Sequence, residues 1–385
     1  MPDLLTGEQK TDLIGRGFSR RDFHRMATLL AAGGGLPLFH EQALAQRARG
    51  TAVPADAVRI DANENPMGPC AEAAEAIHAI VQQCGRYLTG EYSKMAATLA
   101  EQEGLNASYV QPFAGSSAPL YQTILAFCGK DRPYVVADPS YELGARAAQF
   151  LGAPVIDVPL VTATFAHDVK RMAATHPSPG VIYVCNPNNP TGTITPKADI
   201  EWLVNNKPAG TIVLVDEAYI HFSTHAASAA YLAAADKDVI VLRTFSKLYG
   251  MAGLRAGAAL GRPDLLRRIS QYSGNGFLPV TGMAGATASL RSKTVVPERR
   301  KIVAGIRDDT FAFLAKHGIE SIPSEANMFM LNVKRPGREF IQAMAREGVY
   351  VGRVWPIWPT WVRVTVGTRD EMARFQEACL KCYQA

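Results

Sequence analysis

The chain has 385 residues, 48% of them hydrophobic and only 19% charged, so it can bury a large core and is expected to form two closely packed domains. Its formal net charge of +5 is modest, and no Lys/Arg-rich run carries interleaved aromatics, which argues against nucleic-acid binding. No apolar run reaches the roughly 20 residues of a membrane span, so no stable membrane anchor is expected.

The first forty-five residues differ from the rest. Ser19-Arg20-Arg21-Asp22-Phe23 is a twin-arginine pattern, a short Gly-rich apolar stretch follows from Met26 to Phe39, and Ala43-Leu44-Ala45 supplies small residues suited to cleavage. Residues 1–45 therefore read as a twin-arginine signal peptide, which predicts use of that export machinery and a periplasmic or secreted enzyme. The alternative is an amphipathic N-terminal helix of a cytoplasmic protein.

Beyond it, short Val/Ile-rich runs alternate with Ala/Leu-rich helical patterns, the mark of an α/β fold with a mostly parallel sheet covered by helices. Ser116 to Cys128 reads as a helix. The predicted strands are Tyr134–Asp138, Pro154–Val158, Val181–Cys185, Ile212–Asp216, Val239–Thr244 and Ala256–Gly261, with Lys247 to Gly253 helical or turning into a helix. From Lys293 a long helical pattern runs to about His317, then strands at Ile319–Ile322, Met328–Asn332 and Val362–Val366, then a terminal helix. The six cysteines are scattered. Cys379 and Cys382 have CxxC spacing but no second pair, so neither a metal site nor a redox motif follows, and the thiols are expected to be mostly buried.

Three strand ends carry chemistry. Thr244-Phe-Ser-Lys247-Leu-Tyr-Gly-Met-Ala-Gly-Leu-Arg255 sets one lysine among hydroxyls, glycines and an arginine; Val213-Leu-Val-Asp216-Glu-Ala-Tyr219 ends on a carboxylate; Asn186-Pro-Asn-Asn189-Pro190-Thr-Gly192 ends on amides. These are the parts that hold pyridoxal 5′-phosphate as a lysine Schiff base. Its ring nitrogen needs a carboxylate, its aldehyde a lysine, and its phosphate hydroxyls, backbone N–H groups and a guanidinium. Ligands of open α/β sheets lie beyond the carboxyl ends of strands, so motif positions and architecture agree. No GxxxxGK[ST] or GxGxxG turn stands at a strand-to-helix junction, which excludes a P-loop or Rossmann reading.

The ordered blocks N-E-N-P, R-Y, N-P-T-G, D-E-A-Y, S-K followed by an arginine, and R-V-T-V-G-T, from about Asp61 to the end, resemble fold-type I pyridoxal-phosphate aminotransferases, most closely the histidinol-phosphate aminotransferase group. The resemblance implies an arm over residues 46–85 that forms part of a small domain, a large cofactor domain over 86–290, and a smaller α+β domain over 291–385. It makes Lys247 the Schiff-base lysine and, once displaced, the base of the proton transfer. Asp216 pairs with the ring nitrogen, and Tyr219 and Asn189 reach the 3′-oxygen. Thr244, Ser246, Arg255 and the Gly115-Ser116-Ser117 loop at a helix start seat the phosphate, and Tyr141 stacks on the ring.

Arg363 would bind the substrate α-carboxylate. Asn63 reaches the site from the arm, and Tyr87 from a neighbouring subunit, which implies a homodimer with shared active sites. Asn186-Pro187 and Asn189-Pro190 are candidate cis bonds. Where related enzymes carry an acidic pair, this chain has Ser117-Ala118, and it has Met67 where they often place an aromatic. Met67 and an export signal both argue against histidinol phosphate as the donor.

The expected reaction moves an amino group from an L-amino acid to a 2-keto acid. A lyase, decarboxylase, racemase or oxidase of the same fold would share Lys247 and Asp216. A non-catalytic module would lack the lysine or carry a DNA-binding segment, and this chain does neither. Trp355-Pro-Ile-Trp358-Pro-Thr-Trp361 would suit an aromatic or long apolar side chain, or form a packed lid or dimer contact. Arg353 could instead select an acidic or phosphate-bearing one.

Overall fold

The computed structural model describes residues 7–19, 53–273 and 278–384. Its centre is a seven-stranded sheet. The strands are β2 (Val110–Phe113), β3 (Tyr134–Asp138), β4 (Val155–Pro159), β5 (Val181–Cys185), β6 (Ile212–Asp216), β7 (Val239–Thr244) and β8 (Gly257–Gly261). Their order is β2-β8-β7-β6-β5-β3-β4. Strands β3 to β7 are parallel, and β8 is antiparallel to both β7 and β2.

Strands β5, β6 and β7 are buried along their whole length because helices cover both faces, which is why their sequences read as continuous apolar runs. Side chains alternate between the two faces. Ile182, Val184, Val213, Val215, Val239 and Val241 join the larger core cluster. Tyr183, Cys185, Ile212, Leu214, Ile240 and Leu242 join the other, under the Ser117–Phe127 helix. Strand β1 (Val58–Ile60) pairs in parallel with β10 (Val349–Val351), and β9 (Met328–Asn332) pairs antiparallel with β11 (Trp361–Thr365). These small sheets bring Asn63 and Arg363 towards the carboxyl ends of the central strands.

Most expected elements stand where the apolar runs put them, with three differences. The Ile319–Ile322 run forms no strand; only Ser321 makes an isolated bridge, to Leu331. Lys247 to Gly253 is a chain of bends and turns that ends in one 3₁₀ turn, Ala252–Leu254, because Gly250 takes a positive φ where a helix would have to continue. Strand β2 carried no recognisable pattern, since Val110-Gln-Pro-Phe113 lacks alternation and holds a proline; at the edge of the sheet that proline is tolerated. The two expected cis bonds are present, together with a third at Asp138–Pro139. All six cysteines are free; Cys128, Cys185, Cys379 and Cys382 are buried, and Cys84 is exposed.

Arg20, Arg21, the apolar stretch 26–39 and Ala43–Ala45 lie outside the described residues. The segment ahead of them is folded onto the large sheet's helical layer. A helix at Gly7–Gly15 delivers Leu13 and Phe18 into the second core cluster. Arg16, 2% exposed, donates to the carbonyls of Leu125 (2.6 Å) and Cys128 (2.9 Å) and to the Tyr272 hydroxyl (2.9 Å). Those carbonyls close the Ser117–Phe127 helix, where a cation offsets both unpaired acceptors and the helix dipole. Asp12 bridges Arg16 and Arg268 at 3.1 and 2.6 Å. Gly129 must be a glycine for this contact, since a Cβ there would lie 2.3 Å from the Arg16 carbonyl oxygen. Arg16→Ala in the full-length chain should therefore cost about 2 kcal/mol or more, from several charge-assisted bonds at once. The thermal unfolding midpoint checks this; an unchanged midpoint would contradict the docking.

Candidate active site

A cavity of about 290 Å³ opens at the carboxyl ends of β5, β6 and β7. Its walls include Ser116, Ser117, Tyr141, Asn189, Asp216, Tyr219, Thr244, Ser246, Lys247 and Arg255, so ten of the expected residues converge on one space. Four others do not line it. Ala62, Glu64, Cys185, Ala218, Ala252 and Gly253 do; Glu64, Ala218, Ala252 and Gly253 stand inside the motif blocks but had been given no role.

Asp216 ends β6 on the same face as Ile212 and Leu214. Its Oδ1 accepts from the Ala218 N–H at 3.1 Å and its Oδ2 from the Tyr183 hydroxyl at 3.0 Å. Both oxygens of this buried carboxylate thus have a protein donor. Lys247 follows β7; its Nζ lies 3.4 Å from the Ala62 carbonyl and 5.6 Å from the centroid of the Tyr219 ring. The Tyr219 hydroxyl accepts from Asn63 Nδ2 at 2.9 Å. Asn63 is wholly buried and bonds Thr365 through both its backbone N–H and its side-chain oxygen, which ties the arm to β11.

The anion cradle is built where β2 meets the Ser117–Phe127 helix. No side chain caps that helix, so its first N–H groups face the cavity mouth. Arg255, in the left-handed region at φ 54°, reaches Ser246 Oγ at 3.2 Å and the carbonyls of Ala252 and Ala114 at 2.9 and 3.0 Å. Burial moves its guanidinium pKa down. Gly115, at φ 88°, leaves the room: a Cβ would stand 2.2 Å from Arg255 Nη2. Thr244 Oγ1 donates to Ser246 Oγ at 3.0 Å. A guanidinium, two hydroxyls and a helix start around one hollow fit a phosphate, and the lysine and carboxylate beside them fit an aldehyde-bearing heterocycle with a basic nitrogen.

The surrounding turns are braced by neutral groups. His167 is buried, and desolvation pushes its pKa down to about 3. Its Nδ1 meets Thr195 Oγ1 at 2.8 Å, and Thr195 N donates to Asn186 Oδ1 at 2.9 Å. Asn188 joins the Asn186–Asn189 turn to Ser140 and Pro139, next to Tyr141. On the opposite sheet face Arg243 pairs with Glu217 and Glu103, both at 2.9 Å, and so ties β6, β7 and the Gly90–Glu103 helix together.

Arg363 is fully buried on β11, donating to Asn189 Oδ1 at 3.0 Å and the Asp61 carbonyl at 2.7 Å; it stands one residue behind the cavity wall. Arg353, also buried, pairs with Glu142 at 2.6 Å. The two guanidiniums lie 5.8 and 4.5 Å from the centroid of the same ring, Trp355, whose Nε1 donates to the Ser140 carbonyl. Trp355 packs with Ile322 and Met330, with Phe165, Trp358 and Trp361 around them. The aromatic run does not line this cavity; Trp358 meets Phe165 edge-on and tilts against Trp361, both half-buried. Tyr87 is 68% exposed and is likewise absent from this cavity's walls.

Fold and site together define an α/β enzyme built to hold a phosphorylated cofactor at its sheet's carboxyl edge. Residues 55–378 match the model of the aminotransferase class I and II family, and the chain belongs to that family. Among similar proteins is the histidinol-phosphate aminotransferase of Moorella thermoacetica, 31% identical over 329 residues, or 84% of each chain. The aromatic amino acid aminotransferase of Cutibacterium acnes is 30% identical over 347 residues, covering 89% of this chain and 95% of that one. The histidinol-phosphate aminotransferase of Sinorhizobium meliloti, solved in complex with pyridoxal 5′-phosphate, shares the fold at a TM-score of 0.80 and 23% identity, over 90% of this chain and 97% of that one.

Proposed function

We propose that the protein is a pyridoxal 5′-phosphate-dependent aminotransferase exchanging an amino group between an L-amino acid and a 2-keto acid, with Lys247 as the residue that carries the cofactor. The observation that supports this best is the meeting of Lys247, Asp216, Tyr219, Asn189 and the Ser246–Arg255 cradle on one cavity. When bound, the cofactor supplies an electron sink that makes the substrate Cα–H acidic. The protein's own groups do the rest. Lys247 Nζ would take the proton from the substrate Cα and deliver it to the cofactor's aldehyde carbon; Asp216 would pair with the protonated ring nitrogen; Tyr219 and Asn189 would donate to the ring oxygen. Tyr141 covers the ring, and Ser116, Ser117, Thr244, Ser246 and Arg255 seat the phosphate.

Arg363 binds the α-carboxylate. Its contact with Asn189, a cavity-wall residue, places a buried cation next to where that anion would enter. Asn63 orients Tyr219. Arg353, already paired with Glu142, lies 4.5 Å from the centroid of the Trp355 ring and bears on side-chain choice.

Two wider readings rest on less. Tyr87 is a large, exposed aromatic away from its own cavity, which supports a homodimer in which it reaches the partner's phosphate site. The Ser19–Arg21 pattern and the small residues at Ala43–Ala45 support export to the periplasm by the twin-arginine route.

Lys247→Ala should remove the visible absorbance band of lysine-linked cofactor and lower transamination by about 10²–10⁴-fold, the usual worth of a positioned base. Incubation of the wild type with a panel of amino acids should release keto acids. Release of amines, racemised amino acids or peroxide would instead select the decarboxylase, racemase or oxidase alternative. For the dimer, gel filtration should give twice the chain mass, and Tyr87→Phe should weaken cofactor retention; a monomer with full activity refutes it. For export, Arg20→Lys with Arg21→Lys should shift the enzyme from periplasmic to cytoplasmic fractions, and an unchanged distribution would rule the route out.

A further inference from the structure

The carboxylate at the end of β6 has an unassigned partner. Tyr183, fully buried on β5, donates its hydroxyl to Asp216 Oδ2 at 3.0 Å. The parallel register makes this contact possible: Cys185 stands opposite Asp216 and Tyr183 opposite Leu214, so the phenol extends along the sheet by one pleat on the shared face. Burial and the neighbouring carboxylate hold the phenol well above its ordinary range, so it stays a donor and never competes as an anion. A second tyrosine, Tyr134, lies 6.1 Å away ring to ring and fixes the first in place. The Tyr134 hydroxyl sits against Gly144, where a Cβ would come within 2.2 Å, and it makes no hydrogen bond among the described residues.

We propose that Tyr183 is a positioning residue for the reaction, keeping Asp216 a weak enough base that a proton shared with a heterocyclic nitrogen stays on the nitrogen. This rests on the reading of the cavity as a pyridoxal 5′-phosphate site. A carboxylate that accepts hydrogen bonds on both oxygens spreads its charge over the donors and binds a further proton less tightly. With Tyr183 reduced to phenylalanine, the shape of the layer is kept, but Oδ2 loses its buried phenol donor. The shared proton then moves towards the carboxylate, and the ring loses the positive charge that draws electrons from the substrate Cα.

The test uses full-length enzyme loaded with pyridoxal 5′-phosphate carrying ¹⁵N in the ring. In Tyr183→Phe the ring ¹⁵N resonance should move from the protonated towards the unprotonated range, with kcat down about tenfold and KM for the keto acid little changed. Tyr134→Phe, which removes a buried hydroxyl without a bond, should leave both resonance and kcat near wild type. If Tyr183→Phe does not fold, site-specific 3,5-difluorotyrosine at position 183, a stronger donor of nearly the same shape, should shift the resonance further towards the protonated form. An unmoved resonance in either Tyr183 variant, or an equal shift in Tyr134→Phe, would overturn the inference. Failure of the wild type to bind the cofactor at all would overturn the reading beneath it instead.

Discussion

A buried carboxylate at the carboxyl end of a central strand is costly unless something holds its charge, and the architecture here is arranged around keeping one. Asp216 is fixed by the Ala218 N–H and the Tyr183 phenol, and it shares its cavity with Lys247 from the next strand. Parallel β5, β6 and β7 make this possible, because they present three chain ends side by side at one edge of the sheet. Each end bears a different tool: amides after β5, an acid at β6, and hydroxyls and an amine after β7. The antiparallel β8 and β2 then return an arginine and a helix start to the same edge, which completes a seat for an anion.

The remaining structure fixes these tools by neutral hydrogen bonds and by buried arginines. His167 is neutral in the core and braces the Asn186–Asn189 turn through Thr195. Trp355 has both Arg353 and Arg363 over its ring and donates to the Ser140 carbonyl, which joins the chain ahead of β11 to the turn after β3. At the far end of the Ser117–Phe127 helix, whose first turn belongs to the anion seat, Arg16 binds the closing carbonyls. One helix thus connects the docked N-terminal segment to the cavity.

Much of this was legible in the sequence where chemistry and periodicity coincide. Tyr134–Asp138, Val181–Cys185, Ile212–Asp216, Val239–Thr244 and Met328–Asn332 are strands with the expected ends, because short, nearly continuous apolar runs bounded by polar residues are the mark of buried strands. Cavity residues were readable because they follow those strands directly. What stayed hidden depends on tertiary contacts. Tyr183 reads as an ordinary strand aromatic, and only the β5–β6 register shows its reach to Asp216. The tryptophan run reads equally as a wall for an aromatic side chain or as a packed lid or dimer contact, and only tertiary structure shows that it does not line this cavity. Ile319–Ile322 has strand composition, yet only one bridge forms before Pro323 ends the pairing. Arg16 stands in a segment that composition assigns to a leader, and nothing local marks it as a core residue.

The central claim is that one amine, on Lys247, carries the cofactor opposite Asp216. The most direct measurement is to load the full-length enzyme with pyridoxal 5′-phosphate, reduce it with borohydride, digest it and locate the modified residue by mass spectrometry. The account predicts a single reduced adduct on the peptide containing Ser246-Lys247-Leu248. An adduct on another lysine, or none, would contradict it.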